Sequence, residues 1–150
     1  MAYTLQVLIA KQGTLTSLPI DGGVVVRLGQ DFEMLPFTGA FIQKHQIAFL
    51  PLTDEGLEQL PENVKALCAK YSVNGQLAYV EAEFFGGDGV QGCAVFRNGE
   101  TVMGPFVSDV AINEALVMLG AKKLSFHDEF DAVGLNEHRD TDAWIKKDEA

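Results

Sequence analysis

Glu81 and Glu83 stand two residues apart in "YVEAEFFGGDGVQGCAVFRNG", residues 79–99. On a strand, side chains alternate between faces, so both carboxylates share one face, roughly 6 to 7 Å apart. Paired carboxylates at such a separation can act as general acid and base, with one pKa raised by burial. Their strand also suits an amphipathic hairpin, with Val80, Ala82 and Phe84 turned to a core and Tyr79, Glu81, Glu83 and Phe85 turned to water. The sequence therefore offers two uses for these acids: a small hydrolase or isomerase, or a charged surface for a partner. The second is preferred, because glycosidase-like pairs come from separate elements across a cleft.

The other chemical signatures are thin. Gly86-Gly87-Asp88-Gly89 has no Lys-Ser/Thr after it and no following helix, and Asp88 would repel a phosphate, so it reads as a hairpin turn. Asp128, Glu129 and Asp131, with His127 or His138, are close in sequence but lack the alternating acids and central glycine of a calcium loop. Cys68 and Cys93 have no C-x-x-C companion and lie in apolar patterns, which predicts buried free thiols. No nucleophile motif is present, and His45, His127 and His138 have no visible partners. The expectation is a chain with no cofactor, no metal and no catalytic apparatus.

The elements that must position these residues follow from periodicity. "YTLQVLIA" puts Tyr3, Leu5, Val7 and Ile9 on one face of a strand, and "GGVVVRLG" is a second short run. A strand is expected around Gln46–Leu50, ended by Pro51. Thr53 is an expected N-cap for a short turn of helix. A main helix then begins near Pro61, with Val64, Leu67, Cys68 and Tyr71 on its buried side. Three strands of a meander follow, the last two joined by Asn98-Gly99, a pair suited to a type I′ turn. "SDVAINEALVMLG" predicts a second helix, capped by Ser108 or Asp109, striped by Ile112, Ala115, Leu116 and Leu119, and closed by Gly120. The expected class is α+β: a single domain over 1–150, with a mostly antiparallel sheet, a three-strand meander and two main helices. The acidic segment 127–150 is expected to pack on it through Phe130, Val133, Leu135 and Trp144.

Charge narrows the partner. The chain carries 21 acidic against 11 basic residues, a net −10. Such a surface repels nucleic acid and anionic membranes, and it steers association with basic proteins. Residues 127–150 hold eight acids and three bases, so half the excess lies in the last 24 residues. No apolar run approaches the roughly 20 residues that span a bilayer. "MAYTLQVLIAKQ" lacks the flank and cleavage site of a signal peptide, so a cytoplasmic chain is expected.

Taken together, "YVEAEFFGGDGVQGCAVF", "AINEALVMLG" and "DEFDAVGLNEHRDTDAW" resemble small bacterial proteins of the toxin-immunity type. The resemblance covers roughly Tyr79 to Trp144. It implies an acidic domain without catalytic groups that binds and occludes a basic toxin or enzyme. The contacts expected from the residues are Glu81, Glu83, Phe85 and Asp88 on the hairpin, with Asp128, Asp131, Asp140 and Asp142 in the tail. A tail folded across the meander would join them into one patch.

Overall fold

The computed structural model describes residues 3–18, 20–85, 88–122, 128–135 and 140–146; the side chains of residues 85, 88, 131, 132, 145 and 146 lie outside the described set. The fold is α+β, built on one six-stranded antiparallel sheet. Its strands are β1 (Tyr3–Lys11), β2 (Val26–Arg27), β3 (Phe32–Pro36), β4 (Leu77–Phe85), β5 (Asp88–Arg97) and β6 (Glu100–Ser108). They run in the order β2-β3-β1-β4-β5-β6, every neighbouring pair antiparallel. The helices are α1 (Gly39–His45), α2 (Glu62–Tyr71) and α3 (Ala111–Leu119), with single turns α4 (Glu129–Ala132) and α5 (Ala143–Lys146). None of the described helices is long and apolar enough to cross a membrane.

Alternation along the strands feeds two separate cores. Leu5, Val7 and Ile9 of β1, Val80 and Ala82 of β4, and Cys93 and Val95 of β5 pack under α3. Its buried stripe is Ile112, Ala115, Leu116 and Leu119. Val133, Leu135 and Trp144 pack in the same cluster, and the Tyr3 hydroxyl donates to the Leu135 carbonyl at 2.9 Å. The opposite face, with Leu8, Leu77, Tyr79, Ala94 and Phe96, lies under Phe41 of α1 and Val64, Cys68 and Tyr71 of α2. Both cysteines are buried and free. A sheet covered on both sides needs apolar side chains on both, which is why the central strands carry few polar residues.

Several local expectations match. Asn98 and Gly99 have φ of 52° and 85°, the left-handed pair a type I′ turn requires. Gly120 closes α3 at φ 101°, and Pro61 stands at the N-cap of α2. The N-cap of α3, however, is Val110, and it makes no side-chain cap; instead the Gln91 side chain of β5 accepts the Ile112 amide at 2.9 Å. Phe85 pairs with Asp88, leaving between the strands only Gly86 and Gly87, which lie outside the described residues.

Three further expectations fail. No strand forms at Gln46–Leu50: Gln46 (φ 54°) and Leu50 (φ 44°) are left-handed, which breaks any ladder there. The preceding residues form α1 instead, where Thr38 Oγ1 accepts the Phe41 amide at 3.2 Å. Thr53 caps no helix; residues 51–54 are a turn. Most consequential, the supposed wet face of β4 is interior. Tyr79 and Glu81 are fully buried, because α2 and the irregular 46–60 segment cover that side of the sheet.

Candidate functional site

Glu81 sits at the centre of the most polar part of that covered face. Its neighbours in the sheet are Gln6 on β1 and Gly92 on β5. Gly92 has no side chain, and a Cβ built there would lie 3.1 Å from Leu52 Cβ. This gap lets the Leu52–Thr53 backbone descend onto the sheet. Leu52 N then donates to both Glu81 oxygens at 3.1 Å, and Thr53 donates to Oε1 through its amide at 2.9 Å and its hydroxyl at 3.0 Å. The Tyr79 hydroxyl donates to Oε2 at 2.6 Å.

Gln6 extends the network. Its Nε2 donates to the Tyr79 hydroxyl at 3.0 Å and to the Ala48 carbonyl at 3.1 Å, while its Oε1 accepts the Leu50 amide at 3.2 Å. Gln6 and Glu81 thus satisfy backbone groups of residues 48–53, which have no ladder or helix to do so, and the Tyr79 hydroxyl links the two side chains. Burial raises the Glu81 pKa, and the hydrogen bonds from Tyr79, Thr53 and Leu52 oppose that rise. Burial likewise lifts the Tyr79 phenol well above its ordinary value, with the Glu81 charge adding to it. Tyr79→Phe keeps the ring and removes one donor and one acceptor. It should cost about 1 to 2 kcal/mol in urea unfolding, since Gln6 and Glu81 each lose a partner.

This geometry bears on Glu81 as a candidate acid–base group. Both oxygens of Glu81 are held by donors of the protein itself, and the residue has no exposed surface. A general base must reach a substrate proton at about 2.6 to 3.2 Å. A cleft of about 430 Å³ lies nearby, lined by Leu52, Thr53, Leu57, Glu58, Pro105 and Val107 among others, but Glu81 does not line it. The thiols are no better placed. Burial, with a contribution from Glu114, pushes Cys93 up to about 12, and burial alone pushes Cys68 higher still. Neither is a thiolate near neutral pH. No group of three or more metal-ligating side chains converges among the described residues.

The remaining expected contacts divide between the two faces. Glu83 is half-buried two residues beyond Glu81, and its pKa is raised by desolvation and then by the charge of Asp54. Neither Asp54 nor Glu83 has a side-chain hydrogen bond or ion pair among the described residues, where Lys44–Asp21 at 3.3 Å is the one ion pair. The tail reaches this end of the sheet. Thr141 Oγ1 accepts the Gln6 amide at 3.2 Å and donates to the Thr4 carbonyl at 3.3 Å, and Thr4 is registered opposite Glu83. Asp140 and Asp142 flank Thr141, and Asp142 Oδ1 accepts the Gly39 amide at 2.9 Å, where α1 begins. Asp128 instead lies over the other face, accepting from Asn113 Nδ2 of α3 at 2.9 Å. A single patch joining Asp128 to the Glu81 face is therefore not formed, because the sheet separates them. The side chains of Phe85, Asp88 and Asp131 lie outside the described residues.

Glu33 was not among the residues expected to matter. It is buried on β3 and accepts from the amides of Gly13 at 3.1 Å, Leu15 at 2.6 Å and Thr16 at 3.0 Å. The one signal in its sequence is an acid inside the apolar run "FEMLPF". No family model matches the chain, and the comparisons with curated proteins and with solved structures also find no match.

Proposed function

We propose that this chain is a non-enzymatic binding protein that occludes a basic protein partner, an inhibitor of the immunity type. The observation that carries the reading is the Asp54–Glu83 pair. The charge of Asp54 bears on the Glu83 carboxylate, and neither acid has an ion pair among the described residues. A lysine or arginine from a partner would offset that charge, and the net charge of −10 would speed the encounter. Asp140 and Asp142, brought to the same end by Thr141, extend the acidic rim. The buried carboxylates support the same reading from the other direction, since Glu81 and Glu33 serve backbone amides.

The test uses the whole chain as bait in native lysate at low salt. A basic protein retained stoichiometrically and released by salt is the expected result. Asp54→Lys with Glu83→Lys should then slow association by roughly 10-fold or more at low salt and flatten its salt dependence. Affinity indifferent to both the salt series and the double charge reversal would end the proposal. Glu81 is unsuitable for charge reversal, because a buried lysine there would disrupt the fold itself.

A further inference from the structure

Among the described residues, the stretch from Val102 to Met118 brings four exposed large apolar residues to one region: Val102, Val110, Val117 and Met118. They surround the free edge of the sheet, β6, and the outer side of α3. Between these elements runs a shallow groove of about 470 Å³, lined by Met103, Phe106, Val117 and Met118 and bordered by Glu114 and Glu129. An apolar patch with a charged border, continuous over a strand and a helix, marks an interaction surface on a soluble protein.

We infer that this β6–α3 face docks a basic protein through a cluster of apolar side chains flanked by lysine or arginine. The carboxylates select the occupant: Glu114 and Glu129 border the groove, and exposed Glu100 and Asp109 stand at the two ends of β6. A second copy of the chain fits poorly, because a two-fold contact sets each acidic border against its own counterpart. A small molecule would leave Val102 and Val110 uncovered, since they lie outside the groove. Docking proceeds through side chains and not by adding a strand. Pro105 has no amide to offer, and register shifts opposite Val95 interrupt the edge. The basic character of the occupant rests on the function proposed above. The location does not, because Asp54 and Glu83 lie over the opposite face of the sheet.

The probes are three synthetic decapeptides, alternating leucine–lysine, glycine–lysine and leucine–glutamate, read by methyl NMR of the intact protein. The leucine–lysine peptide should shift the methyl signals of Met103, Val117 and Met118, and neither control should do so. Met118→Lys should weaken that binding at least 10-fold; Met118 is 43% exposed, so the variant should keep the wild-type Tm. Signals of Met103, Val117 and Met118 unmoved by leucine–lysine, while glycine–lysine shifts the methyl of Thr53 next to Asp54, would overturn this inference and leave the proposed function standing. Equal shifts from leucine–lysine and leucine–glutamate would overturn the basic occupant. Concentration-dependent dimerisation abolished by Met118→Lys would assign the face to a second copy and also overturn it.

Discussion

Glu81→Ala is expected to lower the unfolding free energy by about 3 kcal/mol, the largest single effect of any substitution considered. The substitution leaves the amides of Leu52 and Thr53 and the Tyr79 hydroxyl without their acceptor, and of these residues Leu52 and Tyr79 are buried. Each unsatisfied buried donor costs about 1 to 3 kcal/mol, and relief of the buried charge returns part of the total. For a chain of this size the loss corresponds to a fall in Tm of roughly 6 to 12 °C. Urea unfolding should show the shift in midpoint with an unchanged m value. An unchanged midpoint would mean that the 48–53 segment does not depend on this carboxylate.

The same residue carries a pH signature. Its native pKa is raised above the ordinary 4.5, chiefly by burial, so the folded state binds the proton more tightly than the unfolded chain. Its contribution to stability is therefore full below about 4.5 and is lost as pH rises through the native pKa. Glu81→Gln cannot titrate. The stability of wild type minus that of Glu81→Gln should fall as pH rises from acid toward neutral, as followed by urea midpoints across the range. A difference that rises toward neutral pH would show that the hydrogen bonds from Leu52, Thr53 and Tyr79 outweigh burial.

Glu33→Ala is the second large effect, expected at about 2 kcal/mol. Glu33 collects the 13–16 turn much as Glu81 collects the 52–53 turn, but Gly13 and Thr16 are exposed, so water can replace part of what is lost. Leu15 is buried, and its amide at 2.6 Å accounts for most of the cost. Amide hydrogen exchange separates the two sites. Glu33→Ala should speed exchange at Leu15 and Thr16 and leave Leu52 and Thr53 protected, whereas Glu81→Ala should do the reverse. Exchange that rises equally at both turns in either variant would show a single cooperative unit.

What the sequence determined by itself was local. The alternation of β1 and β4, the Asn98-Gly99 turn, the start of α2 at Pro61 and the stripe of α3 ended by Gly120 all rest on neighbours a few residues apart. Composition alone set the net charge. Which side of β4 faces water could not be read in this way. "YVEAEFF" alternates as an amphipathic strand does, yet the glutamate in its middle is interior. That outcome depends on Gly92, eleven residues on, and on Leu52 and Thr53, nearly thirty residues back, meeting at one point of the sheet. A carboxylate is tolerated in a core only where donors surround it, and those donors here belong to an irregular segment with no periodicity to announce it. The same holds for α1 and β3, short elements whose ends are set by Thr38 and by pairing with β1. The division of the acids between two faces, Glu83 on one and Asp128 on the other, was likewise decided by the sheet that separates them.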